Sequence, residues 1–226
     1  VRQVHGDGIW VIDGSESLPI PGGAGGGAHE PCCDAIVTNR AGIAIGVKTA
    51  DCVPILIADP ERRVVAAVHA GWKGTAKRIV RNVCDVLEAR FSCRREDLLA
   101  AVGPAIGPCC YEVDAPVREA MGDLAVRPGV FRSAGRDGHW RLDLASANRL
   151  QLLEAGVPPA RVAAANLCTA CRPDLFFSHR GSGGATGRQF NFLVMRDGPE
   201  DGAERSGPTA PGGPDEKELD TIEGVV

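Results

Sequence analysis

The chain contains the continuous segment Lys48-Thr-Ala-Asp-Cys-Val-Pro-Ile-Leu-Ile-Ala-Asp59, then Pro60-Glu-Arg-Arg63, then Val64-Val-Ala-Ala-Val-His-Ala-Gly-Trp-Lys-Gly-Thr75, and its pattern indicates the fold. Two of its apolar runs, Val53–Ala58 and Val64–Val68, have the length and the β-branched content of strands. The residues between them are rich in turn formers. The stretch therefore predicts a β-hairpin.

A thiol and an imidazole flank this hairpin. Cys52 stands at the entry of the first strand and His69 at the exit of the second. Because antiparallel pairing places these two positions at the same end of the sheet, we expect both side chains to share one site.

The hairpin is followed by a short connection, residues 70–75, that contains two glycines. Apolar residues at helical spacing then predict a helix over residues 76–91, with Thr75 as its N-cap. Backbone N–H groups at a helix start, together with Lys73, favour an anion site that would suit phosphate. The alternative is a solvated Lys73 after a purely structural turn.

Five motifs occur along the chain in a characteristic order: Arg2-Gln-Val-His-Gly6, Thr49-Ala-Asp-Cys52, Val68-His-Ala-Gly-Trp-Lys-Gly74, Val102-Gly-Pro-Ala-Ile-Gly-Pro-Cys-Cys-Tyr-Glu-Val113, and Asp174-Leu-Phe-Phe-Ser-His-Arg180 with Thr186-Gly-Arg188. In these motifs the chain resembles the multicopper polyphenol oxidoreductase (laccase-domain) family, also called the YfiH or peptidoglycan editing factor family. The resemblance covers roughly residues 1 to 196.

This resemblance implies an α+β fold, a layered sandwich of mixed β-sheets flanked by helices. It implies one catalytic domain over residues 1–197, from which an N-terminal segment present in the family is missing before Val1. Residues 198–226 change to Gly, Pro, Asp, Glu and Ser, and this composition predicts a disordered tail. The Gly-rich stretch Gly14 to Pro31 predicts a long loop.

The activity implied by the resemblance is that of a zinc-dependent purine nucleoside phosphorylase. Adenosine, inosine or methylthioadenosine would give the free base and ribose 1-phosphate, and adenosine deaminase activity would accompany this reaction. The expected partners are therefore purine nucleosides and phosphate, in a monomer or a small homo-oligomer.

Composition narrows the class of protein. A net charge of −4 and a pI near 5.8 argue against a nucleic-acid binder, which needs surplus Lys and Arg. No apolar run approaches the about 20 residues that cross a bilayer. Nine cysteines without the spacing of a disulfide scaffold favour reduced thiols and a cytoplasmic location.

The resemblance implies a metal held by His5, Cys52 and His69, with Cys52 and His69 also catalytic. Three protein ligands leave a fourth position open, as in catalytic zinc sites. Two His and one Cys also describe blue copper, so Cu²⁺ is the alternative to Zn²⁺. That centre needs an axial Met, whereas Met121 and Met195 lie outside the motifs, and five histidines are too few for a four-copper oxidase.

Further candidates surround this set. Asp34 and Asp51 are candidate catalytic proton carriers. Asp34 could also orient a metal ligand through a hydrogen bond, and the equal alternative is that it is only a turn residue at the start of a strand. Arg180 is a further candidate, besides Lys73, for binding phosphate, and it could also bind ribose. Phe176 and Phe177 are candidates to line a purine pocket.

One further motif leaves alternatives open. Cys168-Thr-Ala-Cys171 could be half of a zinc site or a redox dithiol. The chain lacks a second CxxC motif, which favours a structural or incidental role.

Three other functions remain as alternatives to the nucleoside phosphorylase. They are a copper-dependent polyphenol oxidase, a cysteine hydrolase that edits peptidoglycan precursors through Cys52 and His69, and a non-catalytic binding protein.

Overall fold

The structure is a computed structural model that describes residues 1–14 and 30–197. The predicted loop between Gly14 and Pro31 and the predicted tail 198–226 lie almost wholly outside these residues. Within the described part, residues Val1–Arg196 form one compact unit.

Eleven strands and four α-helices are found in the described residues. In chain order they are β1 (Ile9–Ile12), β2 (Ala35–Thr38), β3 (Ala44–Thr49), β4 (Val53–Asp59), β5 (Val64–Ala70), α1 (Trp72–Ala76), α2 (Ile79–Phe91), β6 (Leu99–Val102), β7 (Glu112–Asp114), α3 (Ala115–Ala120), β8 (Phe131–Ser133), β9 (His139–Leu142), α4 (Leu144–Glu154), β10 (Val162–Ala164) and β11 (Gln189–Val194).

The predicted hairpin is confirmed and forms the centre of the largest sheet. Strands β4 and β5 pair antiparallel, with Pro54 opposite His69 and Val53 opposite Ala70. The six-stranded sheet has the order β1-β2-β5-β4-β6-β10, and its outermost pairs, β1 with β2 and β6 with β10, are parallel. The sheet is therefore mixed, as the α+β prediction requires.

Both faces of this sheet are covered. Helices α2 and α4 pack on one face, where Val83, Cys84 and Leu87 of α2 belong to the main buried cluster. The two-stranded sheet β11-β3 covers the other face, where Ile45 and Val47 of β3 belong to a second buried cluster. Every residue of β5 is buried as a result, and this arrangement agrees with the predicted layered sandwich.

The prediction that Thr75 caps the helix is wrong. A short helix, α1, already begins at Trp72, and Arg78 in the left-handed conformation (φ 64°) separates it from α2. Thr75 is buried and its hydroxyl donates to the Gly71 carbonyl, while the Asn148 amide donates to the Thr75 hydroxyl. Its side chain therefore ties α1 to α4 instead of capping α2.

Helices in the described residues are short. The longest, α2, has 13 residues, and none combines the length and the apolar character that crossing a bilayer requires.

Packing of α2 on the sheet predicts a matched pair of substitutions. Leu87 is 1% exposed and Leu99 is 42% exposed. Leu87→Ala should lower the free energy of unfolding by about 2–5 kcal/mol because it opens a cavity, and Leu99→Ala by less than about 1 kcal/mol. Urea unfolding of chelator-treated protein measures both, and equal losses would contradict this packing.

Candidate functional site

A buried carboxylate fixes the N-terminal segment against the large sheet. Asp34 lies just before β2 and is fully buried. Its Oδ2 accepts the backbone N–H groups of Val4 (3.2 Å) and Gly6 (2.7 Å), and its Oδ1 accepts that of His5 (2.9 Å). These three hydrogen bonds hold His5 in a left-handed backbone conformation, φ 57°, that a non-glycine residue adopts only under such constraint.

The same carboxylate orients His69 at the end of β5. His69 Nδ1 lies 2.8 Å from Asp34 Oδ1. Burial alone would raise the pKa of Asp34, but hydrogen bonds from His69, Gly6 and Val4 lower it, so the carboxylate is ionised and can only accept. Nδ1 must then carry the proton, which leaves the Nε2 lone pair of His69 free to bind a metal.

Three side chains converge here. The candidate ligand atoms of His5, Cys52 and His69 all lie within 4.8 Å of one another. The rings of His5 and His69 meet edge to face, with their centroids 4.8 Å apart. The structure therefore brings together the three residues that the sequence proposed as ligands.

The protonation of this group follows from its contacts. Burial would raise the pKa of the Cys52 thiol, but hydrogen bonds and charge from His5 and His69 lower it to about 7. Burial would lower the pKa of His69, but Asp34 and the Cys52 thiolate raise it to about 9. Each charged form therefore stabilises the other, and a metal that binds Cys52 and His69 would displace protons from this pair.

The donor set and its surroundings fit zinc. Two imidazole nitrogens and one thiolate are zinc ligands that leave a fourth tetrahedral position open. A Cβ at Gly71 would lie 3.1 Å from both Cys52 Sγ and His5 Cδ2, so a larger residue here would require these two side chains to shift. Blue-copper centres commonly add a weak axial Met, but Met121 is in the main core, Met195 packs against the second cluster, and neither lines the cavity.

A second buried carboxylate, Asp51, stands beside Cys52. Its Oδ1 accepts the hydroxyls of Thr169 (2.6 Å) and Ser178 (2.7 Å), and its Oδ2 accepts the Arg180 backbone N–H (2.6 Å). Asp51 itself has a positive φ of 88°. The carboxylate thus ties the segment 169–180 to the entry of β4.

The three candidate ligands open into a cavity of about 530 Å³. Trp72 and Tyr111 supply aromatic surface to its wall. Its cationic lining residues are Lys48, Arg180 and Arg188. The Arg180 guanidinium lies 5.3 Å from the Tyr111 ring and donates to the Glu112 carbonyl, so this cation is held in place at the cavity wall.

Some sequence-predicted residues lie elsewhere. Lys73 is exposed, with its ammonium 5.5 Å from the Trp72 ring, and is not among the residues that line the cavity. Phe176 and Phe177 do not line it either, and Phe177 is 50% exposed.

Two cavity cations were missed in the sequence. Lys48 is the first residue of the segment 48–75, and Arg188 is the last residue of Thr186-Gly-Arg188. Nothing in the sequence distinguishes either one from the other Lys and Arg residues. Lys48 lies in β3, and its backbone N–H and carbonyl each bond the Gln3 amide at 2.8 Å, which holds Gln3 against this strand.

The chain is similar in sequence to a protein family and to proteins of known name. Residues 1–196 match the family described as multi-copper polyphenol oxidoreductase laccase. The chain is 38% identical over 203 residues to purine nucleoside phosphorylase YlmD of Geobacillus stearothermophilus, covering 87% of this chain and 71% of that protein. It is 40% identical over 170 residues to adenosine deaminase RL5 of an unknown prokaryotic organism, covering 72% of this chain and 62% of that protein.

A solved structure shares the fold. The crystal structure of the Bacillus licheniformis hypothetical protein YfiH superimposes with a TM-score of 0.75 at 35% identity, covering 86% of this chain and 72% of that one.

The contacts of Asp34 predict the effect of removing its charge. Asp34→Asn should weaken zinc binding by about 10- to 100-fold, because an amide cannot accept all four hydrogen bonds and no longer fixes the His69 ring. Competition with a chromophoric chelator measures the affinity.

The control is Asp59→Asn, a buried carboxylate at the opposite end of the same hairpin. It should bind zinc as the unaltered protein does. Equal zinc affinity in both variants would contradict the orienting role of Asp34.

Proposed function

Because this chain belongs to the multi-copper polyphenol oxidoreductase laccase family, we propose that it is a zinc-dependent purine nucleoside phosphorylase with adenosine deaminase activity. Its substrates are adenosine, inosine and methylthioadenosine, and its location is the cytoplasm. The observation that carries the proposal is the convergence of His5, Cys52 and His69 on a cavity with cationic and aromatic walls. The names of the relatives point to the same two reactions.

Zinc would be held by a ring nitrogen of His5, the Cys52 thiolate and Nε2 of His69. A zinc ion there supplies Lewis acidity and lowers the pKa of a water molecule toward neutrality. The protein itself holds the three ligand atoms in position. Asp34 bonds the His69 ring and the backbone of His5, and the hairpin positions Cys52.

The cavity accommodates a nucleoside. Its volume of about 530 Å³ falls within the range of small-molecule sites. Trp72 and Tyr111 offer flat surfaces on which a purine can stack. This assignment replaces the sequence-based expectation that Phe176 and Phe177 would contact the base.

Phosphate binds through the cations of the cavity. Lys48, Arg180 and Arg188 can neutralise its charge and orient one oxygen toward C1′ of the ribose. The new C1′–O bond forms as the bond from C1′ to the base breaks, and the released base takes up the proton that the attacking hydrogen phosphate gives up. In deamination, a water molecule adds to C6 of adenine and ammonia leaves.

The two carboxylates position other groups and do not carry the proton. The oxygens of Asp34 accept four hydrogen bonds from the protein, and those of Asp51 accept three. A carboxylate so occupied is a weak base. We therefore assign Asp34 to the metal ligands and Asp51 to the segment that carries Arg180.

Product analysis tests the proposal. Protein purified without added metal should convert inosine to hypoxanthine and ribose 1-phosphate only when phosphate is present, and adenosine to adenine and inosine. Cys52→Ala should abolish both activities because a metal ligand is lost.

The control is Cys32→Ser, an exposed thiol outside the cavity, which should keep both activities. Inosine cleavage without phosphate, or no nucleoside turnover together with oxygen uptake on a phenol, would contradict the proposal. The second result would favour the copper oxidase.

The cavity cations predict a change in phosphate affinity. Lys48→Gln and Arg188→Gln should each raise the KM for phosphate about tenfold, the equivalent of one charged hydrogen bond, whereas Lys73→Gln should leave it unchanged. Initial rates at varied phosphate concentration decide the point. A raised KM in Lys73→Gln alone would restore the sequence-based assignment.

A cysteine hydrolase is the second candidate, because Cys52, His69 and Asp34 follow one another as nucleophile, base and orienting carboxylate. Alkylation of Cys52 in chelator-treated protein separates the two. A hydrolase would be active without metal before alkylation and inactive after it, whereas the phosphorylase needs its metal from the start.

A further inference from the structure

Four cysteines outside the cavity meet in one cluster. Cys109 and Cys110 lie between β6 and β7, and Cys168 and Cys171 follow β10. Cys171 Sγ lies 3.5 Å from Cys109 Sγ and 3.4 Å from Cys110 Sγ, and all four sulfur atoms lie within 4.8 Å of one another. The fold thus completes the CxxC motif with an adjacent pair that sequence spacing did not reveal.

We propose that these four thiols form a second metal site, a closed tetrathiolate centre that binds one zinc ion. Zinc bonds thiolate at about 2.3 Å, so the sulfurs of a tetrahedral site lie about 3.8 Å apart. The observed spacing brackets this value. A four-iron cluster would hold its thiolates farther apart, because each one binds a different iron atom.

The surroundings of the cluster suit metal-bound thiolates. The Gly107 backbone N–H donates to Cys168 Sγ at 3.2 Å, the kind of contact that stabilises a metal thiolate. A Cβ at Gly107 would come within 3.3 Å of Cys109 Sγ and 3.2 Å of the Cys168 Cβ, so glycine permits the close approach of the two segments. Arg141 donates to the Cys109 carbonyl and brings a positive charge to a centre of net charge −2.

A closed site here would brace one wall of the cavity. The segment that carries Cys109 and Cys110 also carries the lining residues Ile106 and Tyr111. Thr169, between Cys168 and Cys171, donates to Asp51. Four protein ligands leave no position for substrate, so the site stabilises the fold and takes no part in the chemistry.

Metal counting tests the inference. We expect two zinc ions per chain in protein purified under reducing conditions without added metal, one in Cys52→Ala, and one in Cys109→Ser/Cys171→Ser. Cys32→Ser, which alters an exposed thiol outside both sites, should keep two. Because Cys52→Ala leaves the cluster untouched, its one zinc tests the new site even where the double variant fails to fold.

Cobalt substitution identifies the ligands. Co²⁺ in Cys52→Ala should give the intense thiolate charge-transfer absorption of four sulfur ligands, because this variant has lost the only thiolate of the cavity site. No metal in Cys52→Ala, or a disulfide in the intact mass of the reduced preparation, would overturn the inference. Neither result bears on nucleoside turnover, so the two proposals fail separately.

Discussion

The hydrogen bonds of one buried carboxylate organise the functional end of this molecule. Asp34 would be costly to bury as an ion, but four donors satisfy it: three consecutive backbone N–H groups and the ring of His69. Those bonds do two things at once. They anchor a terminal segment that carries His5, and they fix which nitrogen of His69 faces the cavity.

The cavity has a similar device on its other side. Asp51 precedes Cys52 at the entry of β4 and gathers Thr169, Ser178 and the backbone of Arg180. The strands between these anchors, β4 and β5, are central in the six-stranded sheet and covered on both faces. Strand β5 carries His69, Cys52 directly precedes β4, and buried carboxylates attach the neighbouring segments, which is the arrangement that a preorganised site requires.

Much of this could be predicted from sequence because it is local. The hairpin, its turn, and the placing of Cys52 and His69 at one end follow from strand pattern and antiparallel pairing.

The contacts that the sequence did not predict are long-range. Strand β11 pairs with β3 across 140 to 150 residues, and the Gln3 side chain bonds the Lys48 backbone across 45 residues. Lys73 lies in a separate short helix, α1, where it is exposed and does not line the cavity. The four-cysteine cluster depends on two loops from different strands, so neither half identified it alone.

The most direct test of this account is an anomalous difference map, recorded across the zinc absorption edge from crystals of protein purified without added metal. We expect a peak within bonding distance of Nε2 of His69, Cys52 Sγ and the His5 ring, with Nδ1 of His69 still hydrogen-bonded to Asp34. No peak between these three residues, or a metal bound to Nδ1 with Asp34 displaced, would contradict it.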